Sequence, residues 1–206
     1  QSLQVVSTAS RGVRARPGPG PAHSRGSTRG RSDIRRALAG CAALFTIGHG
    51  LDDWAARLAQ DVGVPRTIVT DVGVPLRRGE HAPETAGPPH AHPTAQDAVD
   101  PHYWLSIPNA MLMVQFIAAV LGELDPASQA DYQQRARVYH AQLQQVDGEI
   151  RRSLADFPRR AIATFHGSFA YFAATYGLQV VAVFEPAPGK EPGPRYVEAF
   201  QRQVRT

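Results

Sequence analysis

The feature that most constrains this chain is a polar stretch, residues 127–156, with an apolar residue every three or four positions. Tyr132, Ala136, Tyr139, Leu143, Val146, Ile150 and Leu154 are spaced by four, three, four, three, four and four, with Gln, Arg, Asp and Glu filling most of the gaps. That spacing places them on one face of an α-helix. Asp125-Pro126 supplies a capping carboxylate and a proline at the first helical position, where its missing N–H costs nothing, and Phe157-Pro158 ends the run. At 1.5 Å per residue such a rod is about 45 Å long, more than the diameter of a small domain. It fits a surface helix, one arm of a coiled coil, or a spacer holding two lobes apart.

The flanks have their own pattern. Ser32-Asp33 caps a short helix ending at Leu38; a strand over 43–47, the turn Gly48-His49-Gly50, a helix over 51–60 and a strand over 67–72 follow. Residues 109–124 are apolar around most of their circumference and read as a core helix. Beyond the rod come a strand over 160–165, a helix over 169–176, a strand over 179–184, a Pro/Gly loop and a helix over 195–204. Alternating strands and helices on both sides predict an α/β fold.

Charge is unevenly placed. The net +4 arises in residues 1–36, which hold eight arginines and one acid, whereas the remaining 170 residues carry a net −3. Residues 3–8 read as a first strand, but the Arg, Gly and Pro of the segment up to residue 31 predict disorder. This segment reads as a flexible basic tail, a nucleic-acid arm without aromatic residues for stacking, or a stretch read out of frame. Cys41 is the single cysteine, which excludes an internal disulfide and any multi-cysteine zinc site; its apolar neighbours predict burial. There is no uninterrupted run of eighteen apolar residues and no signal-peptide pattern at Gln1.

Histidine carries the remaining chemistry. Pro101 fixes the backbone ahead of His102, and Trp104 and Leu105 follow it, so His102 is either a held ligand or a hydrogen-bonded core residue. His166 stands at the end of an apolar strand, where open α/β sheets bind ligands. His49, between two glycines beyond another strand, is a ligand or an incidental turn residue; His140 lies on the rod and reads as solvated. The loop 75–99, rich in Pro and Gly, holds His81, His90 and His92, which raise local capture of zinc-like ions or are simply solvated. No phosphate loop, H-E-x-x-H or G-x-S-x-G motif is present, and neither His102 nor His166 has an evident general base beside it.

Asp100-Pro101-His102-Tyr103-Trp104-Leu105, Asn109-Ala110, Leu124-Asp125-Pro126, Thr164-Phe165-His166, Phe169-Ala170-Tyr171-Phe172 and Tyr176-Gly177-Leu178 together resemble the metal-binding solute-binding proteins of zinc and manganese ABC importers, over 32–206. The resemblance implies two α/β lobes joined by a single long rigid helix: an N-terminal lobe at 32–126, the connecting helix at 127–157, and a partial C-terminal lobe at 158–206, after a disordered 1–31. It implies that His102 and His166 bind one ion in the cleft between the lobes, with His81, His90 and His92 on a capture loop. The segment from Glu185 to Pro194 also resembles the family's E-P-x-P-G-K-E-P pattern. Two family features are missing. Arg25 stands where the first histidine ligand belongs, with His23 offset and His49 an alternative, and the fourth ligand, a carboxylate, would lie beyond Thr206.

Two histidines fill half of a tetrahedral zinc shell. The implied function is extracytoplasmic capture of Zn2+, or of Mn2+ or Fe2+, by a monomer in the periplasm or cell envelope, and delivery to a membrane permease without nucleic-acid binding or catalysis. The competing readings are a zinc-dependent hydrolase using the same histidines and a basic-tailed binding module in which they are structural.

Overall fold

The structure is a computed structural model that describes residues 5–7, 14–15, 28–79, 98–185 and 191–205. His23, Arg25, His81, His90, His92 and residues 186–190 lie outside the described residues. Packing divides the chain into two compact units, 1–72 and 73–206; the division falls inside the segment 32–126 that the resemblance assigns to one lobe.

In the first unit, β3 (Cys41–Thr46) is a nearly continuous apolar run buried on both faces, as a central strand must be. It pairs in parallel with β4 (Thr67–Val69) and antiparallel with β1 (Val5–Ser7), which pairs in turn with β2 (Arg14–Ala15). β1 lies within the strand read over residues 3–8, whereas β2 and the first residues of an α-helix lie, among the described residues, in the stretch expected to be disordered. α1 (Thr28–Leu38) begins before the Ser32-Asp33 cap that the sequence predicts. It packs with α2 (Asp53–Asp61) around Leu38, Cys41, Leu44, Ala55, Ala59 and Val64. Cys41 is buried as expected, and burial raises its thiol pKa.

The second unit starts from a closed neck. Arg78 bridges Val99, the Gly79 N–H donates to Ala98 O and the Asp100 N–H to Arg77 O, so the described backbone on either side of residues 80–97 is held together. A 3-10 turn (Tyr103–Leu105) leads into α3 (Ile107–Leu124). By length and composition α3 could cross a membrane, although Asn109, Gln115 and Glu123 interrupt its apolar run. In this fold it packs along α4 (Gln129–Ala155), which at 27 residues is about 40 Å long. The two form an antiparallel hairpin around a shallow 370 Å³ cavity lined by Gln115, Ala118 and Ala119 on α3 and by Gln133, Ala136, Arg137 and His140 on α4. α3 is less of a core helix than expected: Asn109, Ala118, Val120 and Gly122 are buried, while its large apolar side chains are half-buried.

The turn between the two helices is tight because Gly122 has no side chain; a Cβ there would meet Gln129 Cγ at 2.8 Å. The Asp125 carboxylate holds the turn by accepting from Tyr132 Oη at 3.1 Å, and the Ser128 hydroxyl bonded to it lowers its pKa. The inward stripe of α4 is rotated from the predicted one. Tyr139 and Val146 are exposed, whereas Asp147 is well buried and His140 is half-buried at the open cavity between the helices.

Beyond α4, β5 (Ala161–Thr164) pairs in parallel with β6 (Gln179–Val183), with α5 (Ala170–Tyr176) between them in sequence. Gly177, at φ 68, stops α5 in the left-handed conformation that glycine tolerates best. α6 (Pro194–Arg205) packs on β6 through Phe200 against Phe184 and through Tyr196 Oη donating to Val183 O. α5 is tied to α4 by Tyr176 Oη, which donates to Asp147 at 2.9 Å. Arg151, at 2.8 Å, is the main cause of a lowered Asp147 pKa, and burial with this bond raises that of Tyr176.

A carboxylate with a lowered folded-state pKa contributes stability that is present above the ordinary carboxylate range and lost as pH falls through the folded value. Asp147→Asn should therefore cost about 1–2 kcal/mol near neutral pH, the half-exposed Arg151 adding little. The difference from the parent should shrink at about pH 3, as read from urea unfolding at both pH values.

Candidate metal centre

His102 is held by its own turn. Asp100 Oδ1 accepts the His102 backbone N–H at 2.9 Å and bonds the ring Nδ1 at 2.7 Å. Local carboxylate-to-backbone bonding of this kind is what aspartate brings to turns, and Pro101 between the two narrows the backbone further. Below it, Tyr103 is fully buried, with its carbonyl accepting from Asn109 Nδ2 at 3.1 Å, and Trp104 lies with its ring 5.4 Å from His102.

His166 is held by sheet register instead. It stands two residues beyond β5, and Glu185 stands two beyond β6. The parallel pairing continues past the strand ends, with the Phe184 N–H donating to Thr164 O and the Glu185 N–H to Phe165 O, both at 2.8 Å. This brings the Glu185 carboxylate to His166 Nδ1 at 2.5 Å. Both carboxylates are well buried; the His102 side chain is 14% exposed and that of His166 36%.

The two rings meet edge to face with centroids 5.5 Å apart. Two imidazoles bound through Nε2 to one tetrahedral zinc, at Zn–N distances of about 2.0–2.1 Å, have centroids roughly 5 Å apart. When each ring is neutral, a carboxylate at Nδ1 keeps the proton there and leaves Nε2 as the lone-pair donor. Asp100 and Glu185 thus flank the two histidines, which the sequence reading did not foresee. Both act on the inner ring nitrogen, the place of an orienting group. Among the described residues no group of three or more His, Cys, Asp or Glu side chains is arranged to hold a metal ion.

His49 is built differently. It lies in the first unit at φ 54, in the left-handed region, between Gly48 and Gly50, which also have positive φ. Asp52 stabilises the turn by accepting the Ile47 and Gly48 N–H groups, each at 2.7 Å. His49 bonds Asp71 at 2.9 Å through Nε2, the nitrogen that His102 and His166 keep out of their carboxylate bonds.

From residue 30 to 206 the chain matches the ZnuA family, described as the periplasmic component A of zinc-uptake complexes. The chain belongs to this family. ZnuA-family proteins are metal-binding components of transport systems and not enzymes, which removes the hydrolase reading. The high-affinity zinc uptake system protein ZnuA of Brucella abortus is 27% identical over 52% of this chain and 32% of its own length. The iron-binding protein YfeA of Yersinia pestis is 27% identical over 65% of this chain and 40% of its own. The substrate-binding protein FpvC of Pseudomonas aeruginosa, solved with Ni2+, superposes with a TM-score of 0.66 at 31% identity, over 84% of this chain and 58% of that one. The α/β fold expected from the sequence is thereby shown. The chain spans about half the length, or less, of the curated relatives that it matches.

The geometry predicts opposite tautomers within one molecule. At a pH where the rings are neutral, long-range proton–nitrogen NMR should find the proton on Nδ1 in His102 and His166 but on Nε2 in His49. Asp100→Ala should turn His102 alone into a tautomer mixture; an unchanged His102 spectrum would show that Asp100 does not set it.

Proposed function

We propose that this chain captures a divalent transition metal, zinc first, through His102 and His166, and delivers it unchanged to an ABC-transporter permease from the outer side of the cytoplasmic membrane. The observation that carries the reading is the pair of imidazoles 5.5 Å apart, each backed at Nδ1 by a buried carboxylate. Neutral imidazole suits zinc, nickel and iron better than it suits the harder manganese ion. In this reading the lobes are 32–126 and 158–206, α4 is the connector between them, and the protein acts as a monomer. His81, His90 and His92, which precede His102 in the sequence, collect metal for it.

Calorimetric titration of the metal-free chain with Zn2+ tests this. One equivalent of heat should disappear in both His102→Ala and His166→Ala, and Asp100→Asn should weaken binding by about 10–100-fold, the usual effect of losing the group behind a ligating histidine. Mn2+ should compete poorly. Binding that survives intact in both alanine variants would rule out the shared site.

A further inference from the structure

α5 has an unusual set of partners. It begins four residues after His166, and its Tyr171 is buried with its hydroxyl against the segment that carries His102. That oxygen accepts the Arg77 N–H at 2.7 Å and donates to Asp100 O at 3.0 Å; the alternative acceptor, Arg77 O, is farther at 3.4 Å. One turn along the same face, the Thr175 and Ser106 hydroxyls are 2.9 Å apart. Arg77 and Asp100 are the two residues joined by the last hydrogen bond of the neck that closes residues 80–97. Asp100 is also the residue whose carboxylate pins the His102 ring.

One hydroxyl therefore bonds both sides of the neck, and Asp100 on one side belongs to the turn that aims His102. Its own helix follows directly from His166, with the Ser168 N–H donating to His166 O and the Ala173 N–H to Phe169 O. Nothing in the sequence neighbourhood of either histidine sets their mutual distance, because the two lie 64 positions apart. The Tyr171 hydroxyl bonds across 71 and 94 positions, from the helix that follows His166 to the segment that carries His102.

We propose that Tyr171 is the positioning residue of the histidine pair, fixing through its hydroxyl both the separation of His102 from His166 and the closure of the neck below residues 80–97. The inference rests on reading the two histidines as metal ligands. Tyr171 touches no metal. It acts through the backbone of Asp100, so its loss would loosen a ligand's aim without removing a ligand.

Tyr171→Phe keeps the ring and deletes only the hydroxyl. Its zinc dissociation constant, read by calorimetry, should rise about tenfold, and the Arg77 amide should exchange with deuterium faster than in the parent. Asp147→Asn removes the charge from the tie of α5 to α4 and serves as the control for lost stability; it should leave zinc affinity unchanged. Parent-like affinity in Tyr171→Phe, with binding weakened in His102→Ala, overturns the proposal. So does an equal loss of affinity in Asp147→Asn. Unchanged binding in both His102→Ala and His166→Ala overturns the metal reading instead. Ring-to-ring nuclear Overhauser contacts between His102 and His166 in the metal-free protein then decide on Tyr171: their loss in Tyr171→Phe upholds its positioning role, and their persistence ends it.

Discussion

A carboxylate bonded to the inner nitrogen of an imidazole is the interaction on which the rest of the second unit depends. Asp100 does this to His102 and Glu185 to His166. A free imidazole can rotate and exchange its proton between two nitrogens; a pinned one presents a single lone pair in a single direction. The surrounding architecture delivers these carboxylates. Pro101 shapes the turn at Asp100, and the β5–β6 register carries Glu185 to its place. The buried polar bonds of α5 hold the two arrangements in one body.

The two units repeat one device with one difference. In each, a parallel pair of strands ends in a histidine after the first strand and an acid after the second, with a helix between them in sequence: His49 and Asp71 after β3 and β4, His166 and Glu185 after β5 and β6. Carboxyl ends of parallel strands are where open α/β sheets gather chemistry. The difference is which ring nitrogen the acid takes. His49, wound into a left-handed turn, gives up Nε2, the nitrogen that would face a ligand in the other unit. The same residue types can thus make a structural latch in one place and a donor in the other.

Much of the fold was legible because it is local. Strand and helix types followed from period and punctuation, and α4 runs within two residues of its predicted ends. The error along α4 was rotational: Tyr139 and Val146 are apolar but exposed, whereas His140 and Asp147 turn inward because α3 and Tyr176 meet them there. Hydropathy cannot foresee a polar residue that faces inward to meet a partner. At the site, His102 and His166 stood out through their settings, but their acids did not. Asp100, two residues before His102, was readable in principle as a side chain folding back on its turn. Glu185 was not, since it reaches His166 across 19 positions only through the pairing of β5 with β6. Tyr171 was invisible for the same reason at greater range.

The neck formed by Arg78 and Val99 separates two kinds of change. Because Arg78 is paired with Val99 and Gly79 with Ala98, the turn bearing His102 starts from a hydrogen-bonded position fixed by described backbone on both sides. Closing a flexible loop costs only about 0.6 kcal/mol more for each doubling of its length. The number and kind of residues between Gly79 and Ala98 can therefore change over evolutionary time while the turn that aims His102 stays where it is.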